Sequence, residues 1–189
     1  MKLIVVVDLQ NEFLGWQPEN VRETLPKATV DYLKKEMENP TTKLICTRDT
    51  HLEADYYREY SESIKFDLHC VRGTHEWEIA QELDDFINDR AFKGCWVINK
   101  STFGEYEEFK RLKDLFEWDF DEIEVCGLTT DICVISNMVT LHTLFPKAVM
   151  TCLMNLTNGT TEDNEDMAFS IMKSMGFIVR GTTKKEDDV

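Results

Sequence analysis

The sequence predicts an α/β protein of three layers: a doubly wound, six-stranded, mostly parallel sheet with helices on both faces. Three observations carry this. Short apolar runs rich in β-branched residues alternate with stretches of helical spacing, the pattern of βαβ units. The first run, Leu3-Ile4-Val5-Val6-Val7, is continuous rather than alternating, as a strand buried on both faces must be. No internal repeat, linker or low-complexity segment breaks the alternation, which makes residues 1–183 one domain and 184–189 a charged tail.

After residues 3–7, strands are expected at 43–47, 96–99, 122–126, 148–153 and 177–179. Between them, Leu25, Ala28, Tyr32 and Leu33 share one helix face, and Trp77, Ala80, Leu83 and Ile87 share another. Phe109, Leu112 and Phe116 repeat the pattern. Residues 132–144 are apolar nearly all round, which predicts a buried helix. The last helix is expected at 162–175, with Gly176 just past its end. The long irregular stretch 48–74 is of a length that is usually functional or lid-like.

Composition narrows the function. With 189 residues, 42% of them hydrophobic, the chain buries a core without disulfide staples, which excludes disordered, collagen-like and cystine-framework classes. Its 21 basic and 36 acidic residues give a net charge of −15, a field that repels phosphate backbones and anionic bilayers. Neither nucleic acid nor membrane is an expected partner. No run approaches a membrane span, and the N-terminal apolar run ends at Asp8, too early for a signal sequence, so a cytoplasmic location is expected. A homo-oligomer acting on a small molecule is expected. The six cysteines form no Cys-x-x-Cys pair. Cys46, Cys95, Cys126 and Cys152 are expected to be buried small hydrophobes.

In an open α/β sheet, ligands bind beyond the carboxyl ends of the strands. Asp8 ends the first strand, Asp49 and His51 follow the second, Lys100 ends the third, and Gly127 to Cys133 follow the fourth. Cys133 is the sharpest member: it falls in the first turn of a helix expected to begin near Thr130 or Asp131. Unpaired N–H groups there hold an oxyanion and lower a thiol pKa. Asp8 and Lys100 would supply the base and the balancing cation. Asp49-x-His51 with His69 forms a second constellation, one carboxylate and two imidazoles suited to Zn, Mn or Fe. Competing motifs fail. His51-Leu52-Glu53 lacks a following Pro-Cys-x-x-Cys, and no glycine-rich nucleotide loop exists. His142 reads as a helix-packing residue.

Asp8 in Val-Val-Asp-Leu-Gln-Asn-Glu-Phe, Lys100 in Asn-Lys-Ser-Thr-Phe-Gly, and Cys133 in Cys-Gly-Leu-Thr-Thr-Asp-Ile-Cys-Val resemble the motifs of the isochorismatase-like cysteine hydrolases, and among them the nicotinamidases. The resemblance spans nearly the whole chain. It implies a Rossmann-like parallel sheet, a catalytic triad of Asp8, Lys100 and Cys133, and an oxyanion site at the N–H groups of Thr129 and Cys133, with a cis peptide between Leu128 and Thr129. It also implies a divalent metal ion on Asp49, His51 and His69 that binds the substrate pyridine nitrogen. A fourth ligand is sought in Glu59 or Glu62, with Glu62 preferred. Phe13, in the loop after Asp8, and Phe66 resemble the rings that hold the pyridine; Phe103 and Trp77 are further candidates for the same wall. The implied reaction is hydrolysis of nicotinamide to nicotinate and ammonia through a thioester. A metal-free amidase or carbamoyl hydrolase is the enzymatic alternative, and a non-catalytic flavodoxin-like binding domain the alternative of another class.

Overall fold

The computed structural model describes residues 1–89 and 94–182; the expected charged tail lies outside the described residues. Six strands, β1 (Lys2–Val7), β2 (Thr42–Asp49), β3 (Cys95–Lys100), β4 (Glu122–Leu128), β5 (Val149–Asn158) and β6 (Ile178–Arg180), form one parallel sheet in the order β3-β2-β1-β4-β5-β6. Every expected strand is present. Most run further than their apolar residues, because the polar residues at their carboxyl ends stay in the ladder: Asp49 pairs with Lys100 in register.

The side-chain alternation of β1 divides the core. Leu3, Val5 and Val7 face α5 (Glu107–Phe116), α6 (Ile135–Leu144) and α7 (Glu162–Ser174). Ile4 and Val6 face the layer of α1 (Asn11–Gly15), α2 (Glu19–Glu36) and α4 (Gln81–Asn88). Between β2 and α4 lie the short helix α3 (Tyr56–Glu59) and a 3-10 turn, Ser61–Ile64. Among the described residues, no helix is long and apolar enough to cross a membrane.

Three helical expectations need correction. In α2, Ala28 is exposed while Thr29 and Val30 are buried, because the stripe facing the sheet turns slightly from the spaced apolar set. Trp77 and Ala80 precede the helix, which starts at Gln81; the Trp77 carbonyl instead accepts from Gln10 Nε2 at 2.7 Å. Helix α6 is not buried all round: Val139 is 42% exposed, and His142 is exposed with its ring edge against Phe177.

Strand order reverses between β1 and β4, so the chain departs in opposite directions from their carboxyl ends and leaves a crevice there. Two backbone features shape it. Gly127 adopts φ +110, and a Cβ there would stand 2.0 Å from the Val7 carbonyl oxygen, so only glycine lets β4 lie this close to β1. Asp8 takes a left-handed φ of +46, a conformation Asp tolerates better than most residues. Its N–H donates to the carbonyl (3.2 Å) and to the hydroxyl (3.1 Å) of Thr47.

Candidate active site

The side chains at the ends of β1, β2, β3 and β4 converge. Lys100 Nζ lies 2.6 Å from Asp8 Oδ2, 3.4 Å from Asp49 Oδ1 and 3.7 Å from Cys133 Sγ. Asp8 is fully buried, and its other oxygen accepts from Thr47 Oγ1 at 2.7 Å. Cys133 sits in a π-turn, Thr130–Val134, rather than in an ordinary first helical turn; the Val134 N–H reaches five residues back to the Thr129 carbonyl at 3.1 Å. The Leu128–Thr129 peptide before it is cis.

Electrostatics here run against the expected lowered thiol pKa. Burial pushes the Cys133 thiol well up; Lys100 pulls it back, while Asp8 adds to the rise. Burial also raises the Asp8 carboxyl, against the opposing pull of Lys100. Burial opposes the charge on Lys100, but the Asp49 and Asp8 carboxylates outweigh it and hold its pKa well above the ordinary range. The surroundings therefore favour a neutral thiol beside a lysine cation, with the Asp8 carboxyl group paired to that cation.

Asp49, His51 and His69 bring one carboxylate oxygen and two ring nitrogens within 4.8 Å of one another, all on buried residues. Asp49 Oδ2 is 3.2 Å from His51 Nε2 and 3.1 Å from His69 Nε2. The Nδ1–H of His69 donates to the Asp67 carbonyl at 2.8 Å, which turns Nε2 toward Asp49. Glu62 reaches the same spot from the 3-10 turn, with Oε1 3.0 Å from His51 Nε2. One ring N–H cannot serve both carboxylates, and buried Glu62 Oε1 has no hydrogen bond. Glu59 does not enter the site; it lies exposed beside Arg58.

The pKa values report the same crowding of acceptors. Burial disfavours the His51 cation, but the Asp49 carboxylate 3.2 Å away and the nearby Glu62 carboxylate overcome it and push the imidazole up to about 9. His69 is likewise raised despite burial, by Asp49 and the Asp67 carbonyl. Burial works to raise Asp49, but Lys100 and the two imidazoles hold it far below the usual carboxylate range. Acceptors thus crowd the two imidazoles at a point where a divalent cation would be satisfied by three or four donors. The donor set fits such an ion.

A cavity of about 450 Å³ opens over both clusters. Its walls include Phe13, Phe66, Phe103, Thr129 and Ile132, with Cys133, Asp49 and His69 at its floor. Phe13 projects from the short helix α1 rather than from a loop. Trp77 does not line the cavity: its indole N–H donates to Thr50 Oγ1 at 2.8 Å, and the Arg48 guanidinium covers its ring at 3.5 Å.

Several residues that periodicity passes over also shape the site. Gln10, fully buried, accepts from the Asp49 N–H (2.7 Å) and donates to the Asp49 carbonyl (3.0 Å), fixing that backbone. Asn137, also fully buried, donates to the carbonyls of Cys133 (2.8 Å) and Phe103 (3.0 Å) and accepts from the Glu105 N–H (3.0 Å). Trp16 forms part of the cavity wall.

Comparison with known proteins is consistent with this geometry. The family model described as the isochorismatase domain matches residues 2–184. A nicotinamidase/pyrazinamidase of Mycobacterium tuberculosis is 28% identical over 184 residues, covering 92% of this chain and 95% of that protein. Among solved structures, a pyrazinamidase/nicotinamidase from Streptococcus mutans superposes with TM-score 0.80 at 18% identity, covering 95% of this chain and 99% of that one. The pyrazinamidase of Pyrococcus horikoshii in complex with zinc gives TM-score 0.73 at 20% identity, with coverages of 95% and 98%.

Proposed function

We propose, from the premise that the chain belongs to the isochorismatase family, that it is a cysteine amidohydrolase converting nicotinamide to nicotinate and ammonia, with a divalent ion at the Asp49 cluster. The observation that carries this reading is the position of Lys100. Its ammonium lies between a buried base (Asp8, 2.6 Å), a metal-type ligand set (Asp49, 3.4 Å) and a thiol (Cys133, 3.7 Å), beneath a cavity walled by aromatic rings. The near full-length similarity to proteins named nicotinamidases supports the substrate class.

The chemistry follows from proton positions. Asp8 accepts the Cys133 proton as sulfur attacks the carboxamide carbon, so no free thiolate need persist in a site that disfavours one. Lys100 stays charged throughout and stabilises the carboxylate and the developing negative charge on sulfur. We assign the N–H groups of Thr129 and Cys133 to the tetrahedral oxyanion. Asp8 returns its proton to the amide nitrogen, the C–N bond breaks, and ammonia leaves a thioester on Cys133. Water then attacks the thioester carbon, giving one proton to Asp8 and from there to the departing sulfur; the nicotinic acid released ionises to nicotinate, its proton taken up by ammonia.

Asp49, His51 and His69, with Glu62 as the fourth protein donor, are the residues we assign to the ion. When bound, the ion supplies a Lewis-acid partner for the ring nitrogen, and zinc in the Pyrococcus horikoshii neighbour supports that choice of metal. Phe13, Phe66 and Phe103 hold the flat ring by offset contacts. The test is ammonia release from nicotinamide and pyrazinamide by zinc- or manganese-loaded protein, with an EDTA-treated control. Turnover of both amides that EDTA suppresses is the expected result. Full activity in EDTA would favour the metal-free amidase reading, and no ammonia from either amide would exclude the proposed substrate class.

A further inference from the structure

Trp16 is a large aromatic side chain that stays half in water while standing on the cavity wall, 50% exposed. Its main chain is firmly held. Leu14 is buried on one side; on the other, buried Gln17 donates its N–H to the Leu14 carbonyl at 3.0 Å and accepts from Asn158 Nδ2 at 2.7 Å. Phe13 and Trp16 are three residues apart at the end of a single helical turn, so their rings share a face and meet edge-on at 5.0 Å. The Trp16 ring also lies 5.6 Å from the ring of His69. Phe66 and Phe103, a second pair on the cavity lining, pack edge-to-face at 6.3 Å, and the Phe66 ring lies 6.4 Å from that of His69. The cavity is thus a slot lined by two aromatic pairs with an imidazole beside both, and Trp16 is the water-facing member of one pair.

Leaving an indole half-hydrated at a cavity mouth costs burial energy that a bound flat ring would recover. The space of about 450 Å³ is also larger than one six-membered ring with a carboxamide requires, and Trp16 is the half-exposed ring on its wall. We propose that Trp16 is a specificity-determining residue: it covers the outer face of the substrate ring and restricts the slot to single-ring aromatic amides. This rests on the amidohydrolase reading above and adds to it the residue that sets ring size.

The test compares the metal-loaded wild-type, Trp16→Ala and Trp16→Phe enzymes on nicotinamide and on a two-ring amide, quinoline-3-carboxamide. Trp16→Ala should raise KM for nicotinamide about tenfold with kcat within about twofold, and Trp16→Phe should stay near the wild type. The ratio of kcat/KM for the two-ring amide over nicotinamide should rise at least about tenfold in Trp16→Ala. Tryptophan fluorescence gives a second readout in a Cys133→Ala background, where substrate binds without turnover. Nicotinamide should quench emission saturably, and Trp16→Phe should remove the quench, since Trp96 and Trp118 pack together at 4.9 Å away from the cavity and Trp77 is covered by Arg48. An unchanged substrate ratio with unchanged KM, or a quench that survives Trp16→Phe, overturns the proposal. If the wild-type enzyme releases no ammonia, the assigned reaction fails, while the fluorescence titration still decides for or against Trp16.

Discussion

Asp49 and Lys100 are register partners on neighbouring strands, and their side chains meet at 3.4 Å. Through that contact one lysine serves both clusters, since its ammonium also pairs with Asp8 at 2.6 Å. The lysine cation and a bound metal ion would then compete for the charge of a single carboxylate. Lys100→Met should therefore abolish turnover by at least about a thousandfold, because Asp8, Lys100 and Cys133 act as a unit. The same variant should bind zinc at least as tightly as the wild type, because a repelling cation has been removed. Calorimetric titration with zinc beside an ammonia assay reads both. Loss of zinc binding in a folded Lys100→Met protein would show that the lysine instead supports the ligand set.

Cys133 alkylation should be slow at neutral pH and accelerate as pH rises, because burial and Asp8 hold the thiol pKa well above its ordinary value. Lys100 opposes that rise, so Lys100→Met should slow alkylation further at any given pH, whereas Asp8→Asn should speed it. The rate of iodoacetamide incorporation at Cys133, followed by mass spectrometry from pH 6 to 10, provides the check. Fast labelling at pH 7 would contradict the direction assigned to the thiol.

The sheet and the convergence of Asp8, Lys100 and Cys133 at strand ends are legible because they rest on signals a sequence carries directly, whereas the metal assignment of Asp49, His51 and His69 rests on the family resemblance. An unbroken β-branched run such as 3–7 has few structural uses besides a doubly covered strand, and Asp8, Asp49, Lys100 and Cys133 all fall at or just beyond the ends of expected strands. Polar and aromatic structure without periodicity carries no such signal. Gln10 and Asn137 are fully buried amides whose partners are backbone groups far along the chain, and nothing local distinguishes them from solvated polar residues. Trp16, next to Gly15 and close to Pro18, falls outside every periodic apolar set. Trp77 misled in the other direction: its spacing to Ala80, Leu83 and Ile87 suits a helix, but its carbonyl bond to Gln10 keeps it in the segment before α4. Glu59 and Glu62 are nearly equivalent in sequence. Only the break from α3 into the 3-10 turn sends one outward and the other to His51.

Gly127→Ala should be severely destabilising. The added Cβ would stand 2.0 Å from the Val7 carbonyl oxygen, on a backbone at φ +110. Neither strand can withdraw without breaking the β1–β4 ladder, so a loss of about 3 kcal/mol or more is expected from the clash and the backbone strain together. Urea unfolding midpoints measure it. A change under about 1 kcal/mol would mean that the two strands separate more easily than their shared core implies.

Metal affinity should depend on pH with a definite sign. In the metal-free protein His51 titrates near 9, and His69 is raised as well. Both must give up the Nε2 proton to bind an ion. Below pH 9, binding therefore expels at least one proton, and apparent affinity should fall by at least about tenfold per unit as pH drops from 8 to 6. Titration calorimetry in buffers of different ionisation enthalpy counts the protons released. An affinity flat across this range would place the imidazoles neutral before the ion arrives.

Gln10→Leu separates the two clusters experimentally. The Gln10 amide makes three hydrogen bonds to backbone groups, two of them to Asp49 and one to the Trp77 carbonyl. Leucine fills similar space but leaves the Asp49 N–H and two carbonyls unsatisfied in the interior, a loss of about 1–3 kcal/mol. The strand end that carries Asp49 would lose its clamp, while Asp8 keeps its own bonds to Thr47 and its pairing with Lys100. Gln10→Leu should therefore lower the unfolding midpoint and weaken zinc binding about tenfold or more, with the alkylation rate of Cys133 nearly unchanged. Equal losses at both clusters would mean that the carboxyl ends of β1 and β2 move as one body, whereas unchanged zinc affinity would show that the ladder pairing of Asp49 with Lys100 suffices to hold the carboxylate in place.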